Sequence, residues 1–142
     1  MGDGSLKKVR VGEPQTFTVR AHRPWNPSEL QVAEGGHYRF QVTDVENWRD
    51  KGHLATPSDG ILAVPRLLKI FGWLRRYKGA NWYTLVGNIG QRAHQSFLIG
   101  SGSEHRAMAN GELFAFANDA WGFYGNNEGT LTITVTRIDA SE

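Results

Sequence analysis

Residues 118–138 read NDAWGFYGNNEGTLTITVTRI, and the second half of this stretch decides the fold. Leu131, Ile133 and Val135 alternate with Thr130, Thr132, Thr134 and Thr136. A period of two puts apolar groups on one face and hydroxyls on the other, the pattern of a half-buried strand. The first half has another chemistry. Asn118, Asp119, Asn126 and Asn127 stand close together, spaced by Gly122, Gly125 and the aromatics Trp121, Phe123 and Tyr124. Asn, Asp and Gly are turn residues, because their side chains bond local backbone and they tolerate left-handed dihedrals. Oxygen donors gathered around one carboxylate also suit a hard cation such as calcium. On these residues alone the loop reads either as a hairpin turn or as a cation loop.

Working outward, the same alternation recurs in HYRFQVT, with Tyr38, Phe40 and Val42 on one face, and in QTFTVRA, with Phe17, Val19 and Ala21. WYTLVG, SFLIG and ELFAFA are short, mostly apolar runs bounded by turn residues, as expected of strands covered on both faces. EGG at 34–36, PSDG at 57–60 and GSGS at 100–103 supply turns between them. Many short strands punctuated this way predict an all-β antiparallel sandwich. One segment departs from the pattern. In PRLLKIFGWLRRYKG, residues 65–79, Leu67, Ile70, Phe71 and Leu74 recur at helical spacing, with Arg66, Lys69, Arg75, Arg76 and Lys78 on other faces. This predicts one short inserted helix, weakened by Gly72 and ending near Gly79, with its apolar side packed on a sheet and its charges solvated.

Composition narrows the function classes. A chain of 142 residues fits a single domain, 1–142, able to bury a core without staples. It has no cysteine, so disulfides, thiolate metal sites and cysteine nucleophiles are excluded together. Sixteen basic against 14 acidic side chains leave a net charge of +2, no basis for a nucleic-acid partner. The opening GDGSLKKVRVGEPQ lacks the apolar core of a secretory signal, and no run approaches the roughly 20 apolar residues of a membrane span. The expectation is a cytoplasmic protein by default, extracellular only by a non-classical route.

No catalytic constellation stands out, and the chain is expected not to be an enzyme. His22, His37, His53, His94 and His105 show no metal-ligand spacing. Phosphate-binding glycine signatures and the G-x-S-x-G nucleophile elbow are absent. Asp44, Glu46, Asp50, Asp59, Glu104, Glu112, Asp119 and Glu128 would allow a glycosidase pair, but nothing in the sequence selects one.

NDAWGFYGNNEG running into a strand resembles the calcium loop of the PA-IL-type, galactophilic bacterial lectins, whose hallmark is ND followed by a Y-G-N-N-x-G turn. LVGNIGQ at 85–91, SFLIG at 96–100 and AMANGELFAFAND at 107–119 resemble that family's approach to the loop. HYRFQVT, Trp48 and the P-x-D-G turn fall in the same order, so the likeness runs from about Val32 onward. The resemblance implies a jelly-roll β-sandwich of the galactose-binding-domain-like type and a Ca2+ ion held by Asp119, Asn126, Asn127, the carbonyl of Phe123 and an earlier carbonyl near Lys51. It implies that Asp119 and Asn126 also bond the sugar hydroxyls, and that the domain forms a homo-oligomer; Trp25, Trp73 and Trp82 are candidates for such an interface or equally for the core. Thr56 and Asp59 stand where the family's sugar-contacting His and Gln lie, and Phe123 replaces a threonine, so galactose specificity does not follow directly. The expected function is a calcium-dependent carbohydrate-binding, lectin-like module for a galactose-like or other hexose, bridged through the metal. The alternatives are a glycan-active hydrolase and a lectin-fold scaffold without a sugar ligand.

Overall fold

The long C-terminal alternation forms the centre of a sheet, as its pattern predicts. The computed structural model describes residues 6–50, 53–61, 64 and 69–139. Along them run β1 (Lys7–Lys8), β2 (Gln15–Arg20), β3 (Asn26–Val32), β4 (His37–Asp50), β5 (His53–Thr56), β6 (Gly60–Ile61), β7 (Leu85–Ile89), β8 (Ser96–Leu98), β9 (Gly102–Arg106), β10 (Gly111–Ala117) and β11 (Asn127–Arg137). Two sheets result, one ordered β1-β3-β10-β7-β8 and the other β2-β11-β4-β5-β6, with β9 also paired to β4. Ile133 of β11 lies opposite Phe17 of β2 and Val42 of β4. Leu131, Ile133 and Val135 therefore point inward together with Phe17, Val19 and Phe40, and meet Leu30, Leu85, Ile89 and Leu113 of the facing sheet in one core. Removing a buried branched side chain such as Ile133 from a core of this kind costs about 2–5 kcal/mol. The architecture is a β-sandwich of the jelly-roll kind.

Two strands were hidden by their chemistry. β3 alternates strictly between buried and exposed positions, yet two of its inward residues are Asn26 and Ser28. Asn26 is tolerated because its amide takes the N–H of Arg20 at 2.8 Å and donates to the carbonyls of Arg20 and Ala115, both at 3.1 Å, so no polar group is left bare. β9 takes in part of the GSGS segment predicted as a turn. It runs along one side of β4, His37 opposite Arg106, and its polar outward residues mask its pairing.

The segment at 65–79 differs from its expectation. Residues 65–68 lie outside the described residues. The described remainder has helical geometry at 69–70, then a 3-10 turn over Gly72–Leu74, and becomes extended at Arg75 with φ −59° and ψ 139°. The helical stretch thus ends well before Gly79, because Arg76 and Tyr77 are drawn into contacts with the 118–124 loop described below. Its apolar residues do not cover the sheet: Ile70 and Trp73 are 60% and 64% exposed. Of the other tryptophans proposed for an interface, Trp82 is in the core and Trp25 packs edge-on to Phe114 and Phe116. No helix among the described residues is long and apolar enough to cross a membrane.

Candidate functional site

The loop at 118–126 leaves β10 in one sheet and enters β11 in the other, so it spans one end of the sandwich. Asn118 begins it as a clamp. Fully buried, it donates to the carbonyls of Tyr77 at 2.8 Å and of Ala80 and Asn81 at 3.0 Å, and accepts the Tyr77 N–H at 3.0 Å. Asp119 follows, also buried. Its Oδ1 accepts the Ala120 N–H at 2.7 Å and its Oδ2 accepts Nδ2 of Asn127 at 3.0 Å. The same Nδ2 reaches the carbonyl of Ala21 at 3.2 Å, which fixes the amide's orientation. Among the described residues, Oδ1 of Asn127 is left buried with no hydrogen-bond partner. An orphaned buried acceptor costs about 1–3 kcal/mol, and its place beside a buried carboxylate calls for an explanation.

The rest of the loop is shaped by its aromatics and glycines. Tyr124 is buried and donates its hydroxyl to the Ala117 carbonyl at 2.7 Å, anchoring a 3-10 turn over Tyr124–Asn126. Burial holds its pKa above the ordinary tyrosine value, against the opposing influence of Arg76. Phe123 and Asn126 are exposed. Gly129, the last residue of the Y-G-N-N-x-G turn, has φ +113°, and a Cβ there would lie 2.5 Å from the Asn47 carbonyl oxygen. Only glycine fits, for reasons of both dihedral and space.

The remaining predicted residues are tied to this end of the molecule to different degrees. Asn127 is registered opposite Asp50, so β4 delivers the chain to the loop immediately before Lys51. Lys51 itself lies outside the described residues. The turn carrying Thr56 and Asp59 is linked through Asn81, whose Nδ2 donates to the carbonyls of Asp59 at 3.1 Å and Ile61 at 3.2 Å. Asn118 in turn holds the Asn81 carbonyl, so one chain of hydrogen bonds joins the turn to the loop. Asp59 is exposed, whereas the Thr56 hydroxyl accepts the Asp59 N–H at 3.0 Å and so also shapes its own turn.

Three residues important to the site carried no sequence signal for their roles. Asn118 reads as a turn residue, and Tyr83 as part of a strand; its hydroxyl lies against the carbonyls of Arg49 and Glu128 and accepts the Glu128 N–H at 3.0 Å, bracing β4 against β11. Arg76, predicted on a solvated face, is inserted among aromatics instead. Its guanidinium carbon lies 3.5 Å from the Phe116 ring centre, 3.8 Å from Trp121 and 4.5 Å from Trp25. Nη1 donates to the Pro24 carbonyl at 2.6 Å and the Tyr124 hydroxyl at 2.7 Å, while the backbone N–H donates to the Asp119 carbonyl at 3.1 Å. Burial pulls its pKa down, and Tyr124 and Asp119 counteract this. Such cation–π contacts strengthen as the cation loses water.

Among the described residues no three His, Cys, Asp or Glu side chains gather, so a cation here would depend on one carboxylate with amide and carbonyl oxygens. The residues fit that demand: the donors are all oxygen, as calcium prefers, and the orphaned Oδ1 of Asn127 is an acceptor in need of a partner. No family model matches the sequence, and no curated protein does. Solved structures do match. One is described as the N-terminal domain of EclA, a PllA-like lectin; it aligns with a TM-score of 0.61 over 86% of this chain and 94% of its own, at 15% identity. The chain therefore has the fold of a lectin-like β-sandwich.

Proposed function

We propose that this chain is a calcium-dependent carbohydrate-binding module of the PA-IL kind. The observation that carries the reading is the buried Asp119–Asn127 pair with its unpartnered Oδ1 at the end of a lectin-like sandwich. Asp119, Asn126, Asn127 and the carbonyls of Phe123 and Lys51 would hold the ion. When bound, calcium offers coordination positions that sugar hydroxyls can fill. Asp119 supplies the negative charge and Asn126, exposed on the same loop, is free to contact a ligand from solvent. Asp59 faces solvent on the tethered turn and is placed to accept from a further hydroxyl, with Thr56 setting the turn's shape. The ligand class is a hexose, galactose-like or another with adjacent hydroxyls, and binding needs no nucleophile or acid–base pair. A glycan array run with calcium and with EDTA tests this. Binding that disappears in EDTA is expected; binding unchanged by EDTA, or an array that stays clean with calcium, refutes it. A clean array would favour the scaffold reading, which the commitment of the Thr56 hydroxyl to its own turn already supports.

A further inference from the structure

The turn at 70–74 keeps its apolar side chains off the sheet, and the 118–126 loop beside it does the same. Ile70, Phe71, Trp73 and Leu74 of the turn and Trp121 and Phe123 of the loop are all at least 37% exposed. Both groups stand at one end of the sandwich, because the chain leaving the turn is fastened to the loop. The Arg76 N–H donates to the Asp119 carbonyl at 3.1 Å and the Tyr77 N–H to Oδ1 of Asn118 at 3.0 Å, while the Arg76 guanidinium carbon lies 3.8 Å from the Trp121 ring centre. Apolar residues exposed singly are ordinary, but six large ones on two joined loops mark an interaction surface.

The base of this surface is held and its tips reach solvent. Leu74 donates its N–H to the Phe71 carbonyl at 3.0 Å, closing a 3-10 turn in which no residue is buried. The Phe123 N–H closes the loop on the Ala120 carbonyl at 3.2 Å. The charge along both segments has one sign. No Asp or Glu occurs from Gly60 to Ser103 or from Ala120 to Asn127. Lys69 and Lys78 flank the apolar turn, both exposed and neither in an ion pair among the described residues. The acids that bound the two segments are Asp59 and Glu128, exposed, and Asp119, buried.

We propose that this end of the molecule docks on an anionic lipid surface, with Ile70, Phe71 and Trp73 entering the boundary between headgroups and acyl chains and Lys69 and Lys78 lying at the lipid phosphates. Tryptophan suits that boundary, since its ring is apolar and its N–H stays within reach of polar headgroups. A short apolar turn binds a bilayer weakly and so do two lysines, but the two signals together bind it stably. A second copy of the chain fits the surface less well. Lysine is depleted from protein interfaces, and a twofold contact through this patch would set the lysines of both copies against each other. The turn at 70–74 contains none of the proposed calcium ligands, so docking is independent of the metal reading.

The test is co-sedimentation of the full chain in EDTA with vesicles of phosphatidylcholine alone and of phosphatidylcholine mixed two to one with phosphatidylglycerol, with tryptophan fluorescence read in parallel on vesicles whose acyl chains are brominated. Binding to the mixed vesicles and quenching by the bromines are expected. Affinity should fall about tenfold on phosphatidylcholine alone, about tenfold in the double variant Lys69→Gln with Lys78→Gln, and about tenfold in Ile70→Ala with Trp73→Ala. The proposal is overturned if the wild type does not bind the mixed vesicles, if it binds them without quenching, if it binds both compositions equally, or if either folded double variant keeps full affinity. A dimer in light scattering that Ile70→Ala with Trp73→Ala abolishes, without any vesicle binding, would assign the surface to a second copy and also overturn it. The wild-type vesicle comparison decides the matter even where a variant fails to fold. Because EDTA is present throughout, loss of the calcium reading leaves this result unchanged.

Discussion

Replacing Asp119 by asparagine separates a ligand loop from a turn, provided its two effects are kept apart. Asn is as good a turn residue as Asp, which suggests a harmless change. The contacts say otherwise. Asp119 accepts on both oxygens, from Ala120 N–H and from Asn127 Nδ2. The amide introduced by Asp119→Asn would have to aim its NH2 group at one of these donors, leaving buried donors facing each other without an acceptor, at a cost of about 1–3 kcal/mol. For a chain of this size, at about 3 °C per kcal/mol, the melting temperature should drop by about 3–9 °C in EDTA. That drop is expected with or without a metal site and decides nothing. The discriminating quantity is the calcium-dependent increment. An ion at about 100 times its Kd stabilises the native protein by about 2.7 kcal/mol, or about 8 °C at the same conversion. Thermal melts of both proteins in EDTA and in millimolar calcium should show this increment in the wild type and its loss in Asp119→Asn. A wild type with no increment, or a variant that keeps it whole, refutes the reasoning.

Gly129→Ala should destabilise by about 3 kcal/mol, since a positive φ and a close backbone approach act together; urea denaturation with an unchanged midpoint would contradict this. Asn118→Ala leaves the Tyr77 N–H and three carbonyls without their side-chain partner, and should cost about 3 kcal/mol while raising amide hydrogen exchange in residues 77–81 selectively. His105 stacks flat on Phe97, with ring centres 3.9 Å apart, and burial, then nearby His37, holds its pKa below the ordinary histidine value. The unfolded chain therefore takes up this proton more readily, so the contribution is complete above about pH 6.5 and is lost as pH falls through the lower folded value. Urea midpoints at pH 7.5 and 5.5 should differ less in His105→Gln than in the wild type.

Where burial follows hydropathy the fold is legible: β2, the first half of β4, β10 and β11 declare themselves by apolar residues facing one core. Legibility fails where a polar side chain is buried because distant backbone satisfies it. Asn26 erases the alternation of β3, and Asn118 shows only as a turn residue although it grips a segment 37 to 41 residues away. Arg76 fails in the opposite sense, a charge predicted to be solvated but held by four rings that the chain brings together only on folding. For the loop, the spacing of Asp119 and Asn127 is visible in the sequence and the two side chains do meet. That the meeting leaves one oxygen without a partner could be learned only from the geometry. A proposed ligand that is a backbone carbonyl, such as that of Phe123, has no side-chain signature at all.

Asn26, Asn118 and Asn127 share a habit: each fastens the main chain of remote segments and, apart from the Asn127–Asp119 bond, ignores the side chains there. A tie to a carbonyl is indifferent to which amino acid bears it. Residues 20, 21, 77, 80, 81 and 115 are thus free, as far as these ties are concerned, to change identity over evolutionary time while the asparagines are not. Such an arrangement lets a sequence change widely and keep its shape.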